Sequence, residues 1–415
     1  MAAGLGTRMK SATPKHVHPL LGRRMVDWVI GATRDAGIER IVVVASPESA
    51  GSFDGLEVAV QQEPRGTGHA VRTAREALTG QGGDVLVVNG DVPALTPELL
   101  RELVDAHRAA GAAGTVLTFE PPEGRAYGRV VRGGDGRLVR VVEAADASPQ
   151  ELALREANSG IYAFRAEKLW PVLERLEPTN AKGELYVTDT LRLLVESGEK
   201  VAVHAAPVAW EVEGINTRAE LAFVAAKLRD RINEAHMLAG VTIVDPQSTW
   251  IDADVQLERD VTIHPFCVLR GAVRIGAGTE VGPFAYVRPG TETGREAKIG
   301  TFVELKNARI GARTKVPHLS YIGDAEIGDD TNVAAANVTA NLSPGKPKQM
   351  TRIGSNVRTG VDNTFVAPVE IADDAWIAPG AVITDDVAPG SLAGFAPRQQ
   401  TKEGWVYEKH GKRDG

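Results

Sequence analysis

Between residues 255 and 390 apolar positions recur on a six-residue period. Branched aliphatics stand at Ile263, Leu269, Ile275, Val281 and Val287, and again at Ile371, Ile377 and Ile383. Many are followed directly by glycine: Ile275-Gly276, Val281-Gly282, Ile299-Gly300, Ile310-Gly311, Ile322-Gly323, Ile327-Gly328 and Ile353-Gly354. A helix would turn the sixth residue to its far face. An ordinary hairpin sheet would not restart its turn so often. A solenoid of hexapeptide repeats fits the spacing: each repeat is a short strand and a turn, and about three repeats close one coil of a triangular prism. The aliphatic side chain points inward. The Gly, Asn or Asp beside it takes the turn, where left-handed backbone angles cost little for such residues.

Residues 1–215 follow another rhythm. Met25 to Ala36 reads as a helix with Val26, Val29 and Ile30 on one face, ahead of a buried strand at Ile41-Val42-Val43-Val44. Val58-Ala59-Val60 is a second strand, His69 to Leu78 a helix, and Asp84 to Asn89 an apolar run ending at Gly90-Asp91. Strand, helix and an acidic residue at a strand's carboxyl end predict a doubly wound, Rossmann-like α/β domain, whose ligands bind outside the carboxyl ends of the strands. Leu221, Val224, Leu228 and Ile232 then form one stripe of a linker helix. The expected organisation is an α/β domain over 1–216, a linker helix over 217–238 and a left-handed parallel β-helix with a terminal tail over 239–415.

Composition narrows this picture by exclusion. With 415 residues the chain is long enough for two or three domains. A net charge of −7 argues against a nucleic-acid or anionic-membrane surface. No apolar run is long enough to span a membrane, and the first residues lack a signal peptide's apolar core. Cys267 is the single cysteine, so no internal disulfide can form and a reducing cytoplasm fits. It occupies an apolar slot of the hexad pattern, as packing rather than as a nucleophile.

The candidate chemistry begins at Ala2-Ala3-Gly4-Leu5-Gly6-Thr7-Arg8-Met9, followed by Pro14-Lys15. Glycines let backbone N–H groups wrap a polyphosphate, and Arg8 and Lys15 add fixed positive charge. Asp91 and Asn216 are hard oxygen donors suited to a divalent ion. By residue type alone Asp91 is equally a turn carboxylate, and Asn216 equally a helix cap before Thr217-Arg218. In the solenoid, Arg288-Pro289, Glu304-Leu305-Lys306, His318-Leu319-Ser320-Tyr321 and Asp329-Asp330-Thr331-Asn332 stand where the hexad rhythm breaks. Of these His318 is the residue type suited to a general base, although by type alone it reads first as a solvated loop histidine.

The A-A-G-x-G-T-R-M…P-K pattern resembles the signature of sugar-1-phosphate nucleotidyltransferases. Gln61…Gly66-Thr67-Gly68-His69-Ala70, Gly90-Asp91-Val92-Pro93, Tyr127-Gly128-Arg129, Val142-Glu143, Glu156-Ala157-Asn158-Ser159-Gly160, Gly183-Glu184-Leu185-Tyr186-Val187-Thr188-Asp189 and Val212-Glu213-Gly214-Ile215-Asn216 extend it. With the hexapeptide prism, nearly the whole chain resembles the bifunctional N-acetylglucosamine-1-phosphate uridylyltransferases / glucosamine-1-phosphate N-acetyltransferases. The resemblance implies that Met1, Ala2, Ala3, Gly4, Gly6, Thr7, Asn89 and Gly90 line the nucleotide-sugar site, with Arg8 and Lys15 catalytic. It implies Mg²⁺ on Asp91 and Asn216, uracil at Gln61, Gly66 and Thr67, and sugar at Gly128, Glu143 and Asn158. In the prism it implies His318 as base; Arg288, Lys306, Tyr321 and Asn332 on the amino sugar phosphate; and Ala335 and Asn341 beside acetyl-CoA.

The chain departs from the family pattern around the coenzyme: Leu342 replaces an aromatic, Val361 a serine, Pro379 an alanine and Ala396 a basic residue, with Arg398 nearby. Pro317 removes a backbone donor before His318, and Ala144-Ala145 stands where a lysine is usual after Glu143. A nucleotidyltransferase whose prism only trimerises or regulates is therefore the alternative. The family's homotrimers, with UTP, the two sugar phosphates and acetyl-CoA as small-molecule partners, set the remaining expectations. The family also has an apolar strand leading into Ala2-Ala3-Gly4, so the start is expected several codons upstream of Met1, and both neighbouring strands would otherwise keep unpaired backbone groups.

Overall fold

In the amino-terminal half the aliphatic runs become strands β1 (Val42–Ala45), β2 (Glu57–Val60) and β3 (Asp84–Val87). Five more follow: β4 (Gly114–Phe119), β5 (Arg129–Arg132), β6 (Leu138–Val142), β7 (Ala157–Arg165) and β8 (Val201–Ala205). These are features of a computed structural model that describes every residue except 5, 79, 81, 123–125, 346, 396–398 and 411–415. Leu5 of the glycine-rich motif, and Ala396 and Arg398, thus lie outside the described residues. The chain divides into two units, Met1–Leu228 and Arg229–Gly415.

The first unit is a mixed sheet covered by helices α1 (Met25–Asp35), α2 (Thr67–Thr73), α3 (Pro97–Ala110), α4 (Ala166–Leu173) and α5 (Thr188–Glu196). β8 and β4 pair in parallel, whereas β7 runs antiparallel to β3, β4 and β5. β1 and β2 form a separate parallel pair. No ladder joins β1 to β3 among the described residues; an apolar cavity of about 520 Å³ lies there, lined by residues including Val29, Val42, Leu86 and Trp170. Residues 1 and 2 close one end of it. Ala2 N–H donates to Val44 O at 2.7 Å, the Met1 amine to Val88 O at 2.6 Å, and Gly90 N–H to Met1 O at 2.8 Å.

The single helix expected over His69–Leu78 is two pieces. α2 starts earlier, at Thr67, and ends when Ala74 N–H turns back onto the carbonyls of Val71 and Arg72. Ala74 is buried with Ala3, Val44 and Ala70, and the break falls there although alanine favours helix by type. The linker becomes α6 (Arg218–Leu238). Its Val224 and Leu228 pack with Met25, Ala94 and Ile215 in the first unit. Ile232 packs on the core of the second unit, where Asn233 Nδ2 donates to Pro246 O and Thr249 O.

That second unit is a parallel β-helix whose strands stack in three sets. Thr262 pairs with Glu280, Val268 with Tyr286 and Val273 with Thr291, each three hexads further on. The hexad aliphatics Ile263, Leu269, Ile275, Val281, Val287, Ile371, Ile377 and Ile383 all lie in one buried core, together with Cys267. The rhythm then changes. Glu304 pairs with Tyr321 and Tyr321 with Val338, a coil shortened by one residue, while Ala325 pairs with Thr351, a coil lengthened by an excursion.

Pro317 falls inside this altered region without leaving a gap in the fold. It sits opposite Gly300, between the paired residues Ile299↔Val316 and Thr301↔His318. A Cβ on Gly300 would overlap the Pro317 carbonyl. Gly300→Ala is therefore expected to cost about 1–3 kcal/mol by forced backbone displacement, checked as a lowered midpoint of thermal unfolding.

Candidate functional sites

Polar side chains gather in each unit. In the first, the segment after Ala3 turns through Gly6, whose φ is 60° and where a Cβ would sit 2.6 Å from the Cβ of Lys15. The glycine loop and the Lys15 stem therefore pack directly on each other, an approach that only glycine permits. The Lys15 ammonium is bonded to the Asp91 carboxylate and donates to Asn216 Oδ1 at 3.1 Å. Arg8 donates to the same Asn216 oxygen at 2.8 Å.

Asn216 is free for these contacts because it does not cap α6. The cap is made by Thr217 and Glu220: Glu220 N–H donates to Thr217 Oγ1 at 3.2 Å, and Glu220 Oε2 accepts from Asn216 N at 2.6 Å and Thr217 N at 3.0 Å. Burial works against ionisation of Asp91. The positive charge of Lys15, with His16 and the Lys15 hydrogen bond, outweighs it and holds the carboxyl below its ordinary value. The Met1 amine beside this group is pushed down to about 6 by burial, with Asp91 opposing.

Gln61 is anchored by its own N–H to Ala45 O at 2.9 Å, and its amide donates to Gly66 O at 3.2 Å. Gly66 has a φ of 104°, and a Cβ there would strike the backbone of Leu185. The Thr67 hydroxyl accepts from Val187 N–H at 3.0 Å, and Gly68 N–H donates to Leu185 O at 2.7 Å. So the 61–68 turn is fastened to the Leu185–Val187 segment.

Gly128, Glu143 and Asn158 also come together. Asn158 N–H donates to Gly128 O at 2.9 Å, its side-chain amide donates to Tyr162 Oη at 2.7 Å, and Gly160 N–H donates to Asn158 Oδ1 at 2.9 Å. Gly160, with a φ of 79°, lies against the Asn89 side chain. Glu143 accepts from the Thr188 hydroxyl at 3.1 Å. Burial raises the Glu143 pKa, an effect that Thr188 and Lys182 reduce and that Asp146 and Asp189 reinforce.

A carboxyl raised in the folded state contributes stability below its unfolded pKa and loses that contribution as pH rises through its folded pKa. Glu143→Gln cannot ionise. It is expected to unfold at a higher temperature than the parent at pH 7.5, with the difference closing as the pH falls towards about 4, in paired melting curves.

The second unit's cluster spans the altered coils. Arg288 pairs with Glu304 at 2.8 Å. The Lys306 ammonium lies 3.7 Å from Asp324, which also bonds the side chains of Asn307 and Asn341. The Tyr321 ring lies over Gly323, where any Cβ would overlap it, and Gly323 is the ladder partner of Lys306. Lys348, from the excursion between Asn341 and Thr351, meets Lys306; that ammonium pushes the Lys348 pKa down. His318 and Asn332 sit on the neighbouring strand stack, linked through Lys315, and both are exposed. No side-chain hydrogen bond joins either of them to the Lys306–Asp324 group among the described residues. Ala335 lies further along, its carbonyl accepting from Asn337 Nδ2 at 3.2 Å and Asp362 N at 2.9 Å. Val361 and Leu342 are exposed.

Four neighbours of these clusters escaped the sequence reading. His16 is buried under the glycine loop, and neither ring nitrogen has a hydrogen-bond partner among the described residues. Burial pushes its pKa down to about 4. Its only sequence cue is adjacency to Lys15. Tyr162 takes the Asn158 amide across an irregular stretch of the strand at Gly160, which strand alternation does not reveal. Thr188 lay inside a quoted motif without a role. Lys348 belongs to an excursion with no hexad register.

Two oxygens, one of them the single carboxylate, converge on the Lys15 ammonium, so this group already presents a cation position with hard donors. No cluster of three or more His, Cys, Asp or Glu that could hold a metal occurs among the described residues. A divalent ion at Asp91 and Asn216 would thus take its remaining ligands from water or from a bound phosphate.

Both halves match known proteins. Residues 1–185 match the MobA-like NTP transferase domain, and residues 254–289 the bacterial transferase hexapeptide, six repeats. The bifunctional protein GlmU of Streptomyces avermitilis is 45% identical over 451 aligned residues, covering 99% of this chain and 93% of that protein. The bifunctional protein GlmU of Kineococcus radiotolerans is 45% identical, with 99% and 91% covered. That of Corynebacterium efficiens is 42% identical, with 99% and 93% covered. Identity of this degree, sustained through the α/β unit and the β-helix alike, means that the chain belongs to the family of the bifunctional protein GlmU.

Proposed function

We propose that this chain makes UDP-N-acetylglucosamine in two steps, acetylating glucosamine-1-phosphate from acetyl-CoA and then joining the product to UMP from UTP with release of pyrophosphate. The observation that carries the reading is the convergence of Arg8, Lys15, Asp91 and Asn216, up to 208 residues apart in sequence, beside a glycine loop. We assign nucleotidyl transfer to 1–216, the link to 217–238 and acetyl transfer to 239–415. A homotrimer in the cytoplasm is part of the same proposal. No helix is long and apolar enough to cross a membrane among the described residues.

In nucleotidyl transfer a phosphate oxygen of N-acetylglucosamine-1-phosphate attacks the α-phosphorus of UTP. The bond to the β-phosphate oxygen breaks, and its electron pair leaves with pyrophosphate. Gly4 and Gly6 hold the phosphates, and Arg8 and Lys15 offset the charge spreading over them. Gln61, Gly66 and Thr67 present hydrogen-bonding groups to uracil, with Gly66 carbonyl and Thr67 hydroxyl already fixed in place. Glu143 and Asn158 accept and donate to sugar hydroxyls. Mg²⁺ on Asp91 and Asn216, when bound, supplies charge neutralisation and alignment of the reacting phosphates.

In acetyl transfer the amine of glucosamine-1-phosphate attacks the thioester carbonyl of acetyl-CoA. His318 accepts the proton lost from the amine, and CoA leaves as the thiol once protonated. Arg288, Lys306 and Lys348 offer positive charge to the sugar phosphate, with Tyr321 and Asn332 ordering the ring. A prism that only assembles subunits is the second reading, favoured by Val361 and Leu342 at coenzyme positions. Purified protein tests both. Pyrophosphate from UTP and N-acetylglucosamine-1-phosphate supports the first activity, and CoA release from acetyl-CoA and glucosamine-1-phosphate the second. Pyrophosphate without CoA release selects the second reading, and neither product rejects the proposal.

A further inference from the structure

Lys15 does more than wait for phosphate: its ammonium is bonded to the Asp91 carboxylate and to Asn216 Oδ1 together. The side chains of Lys15 and Asp91 are only 9% and 17% exposed, so the pair is largely withdrawn from water. A carboxylate that buried is costly without a positive partner. Asn216 Oδ1 also accepts from Arg8, so the cationic side chains already use the oxygens directed at this point. A divalent ion coordinated at about 2.1 Å by the same oxygens would share the ammonium's volume and its sign of charge.

Only the base of the Lys15 stem is held in place. It packs against Gly6, where a Cβ would approach its Cβ to 2.6 Å. Phosphates entering the glycine loop therefore meet the stem that carries the ammonium. Lysine's charge sits on a flexible four-carbon stem, so it can follow an anion over a few ångströms while the Asp91 oxygens stay in place.

We propose that Lys15 is a resident cation at the Asp91–Asn216 pair, exchanged for a divalent metal only when nucleoside triphosphate phosphates draw the ammonium away. Metal uptake is then ordered: triphosphate and metal enter together, and metal alone binds only weakly. This rests on the reading that the amino-terminal unit transfers nucleotides, and it assigns Lys15 a second task, keeping a buried carboxylate compensated between turnovers.

The test uses the full chain and Mn²⁺, whose free hexaaqua ion is counted by electron paramagnetic resonance. Wild type is expected to show weak Asp91-dependent Mn²⁺ binding alone, and binding tightened at least about tenfold by UTP. Lys15→Met is expected to bind Mn²⁺ without UTP at least about tenfold more tightly than wild type, and Lys15→Arg, which keeps the charge, to resemble wild type. Asp91→Asn marks the site-dependent signal. Mn²⁺ bound to wild type without UTP as tightly as with it would overturn the exchange, whether or not Lys15→Met folds. UTP-dependent binding in wild type with no gain in a folded Lys15→Met overturns the exchange but leaves the function intact. No Asp91-dependent Mn²⁺ binding in any form, with or without UTP, removes the nucleotidyltransferase reading itself.

Discussion

Asp91→Asn is expected to lower kcat for pyrophosphate release by at least about 100-fold, while CoA release by the β-helix unit stays within about twofold of the parent. The substitution keeps the shape of the side chain but removes the carboxylate bonded to Lys15, replacing one acceptor oxygen with an NH2 donor. Three consequences coincide. The Lys15 ammonium loses its buried counter-charge, the pair of oxygens facing it loses its negative member, and the reacting phosphates lose the ion that would balance them. Charge balance of that kind matters most in the transition state, so the loss belongs in kcat more than in KM. Steady-state pyrophosphate and thiol assays on the same preparation check it. A variant with unchanged kcat would show that Asp91 is only a turn carboxylate.

His318→Ala is expected to reduce CoA release by about 10² to 10⁴-fold, the usual contribution of a positioned general base, with pyrophosphate release unaltered. His318 ends its strand beside Leu319, a turn residue with φ of 49°, and its carbonyl is held by Ser320 Oγ at 2.8 Å and Ala336 N at 3.2 Å. The backbone is thus fixed while the imidazole stays exposed. Alanine leaves those backbone bonds in place, so lost activity would not reflect a collapsed corner. If acetyl transfer persists in His318→Ala, the amine loses its proton to another group or to water.

The two sites differ in how far they could be read. Around Lys15 and Asp91, glycine, cations and hard oxygens marked candidates for phosphate chemistry, while residue type alone left Asp91 open as a turn carboxylate and Asn216 as a helix cap. In the β-helix the residues were legible mainly as interruptions, since a polar side chain in an aliphatic period stands out. The helix expected at His69–Leu78 was mistaken in its bounds: it starts at Thr67 and breaks at Ala74, a residue that by type favours helix, so nothing local marked the break. His16 and Lys348 were missed for a shared reason: neither follows a period, and each matters through a neighbour remote in sequence or outside its register.

The sequence by itself determined the solenoid, because a six-residue aliphatic period leaves one inward face and one repeating turn whatever surrounds it. It also determined which residue types could serve phosphate and proton transfer, since those depend on chemical identity alone. Only the tertiary structure decided that the Lys15 ammonium rests on Asp91 and Asn216, that Thr217 rather than Asn216 caps α6, and that the coils shorten and then lengthen around Lys306 and Tyr321. Those outcomes turn on which distant groups share a volume, and local propensity carries no information about distance between remote segments.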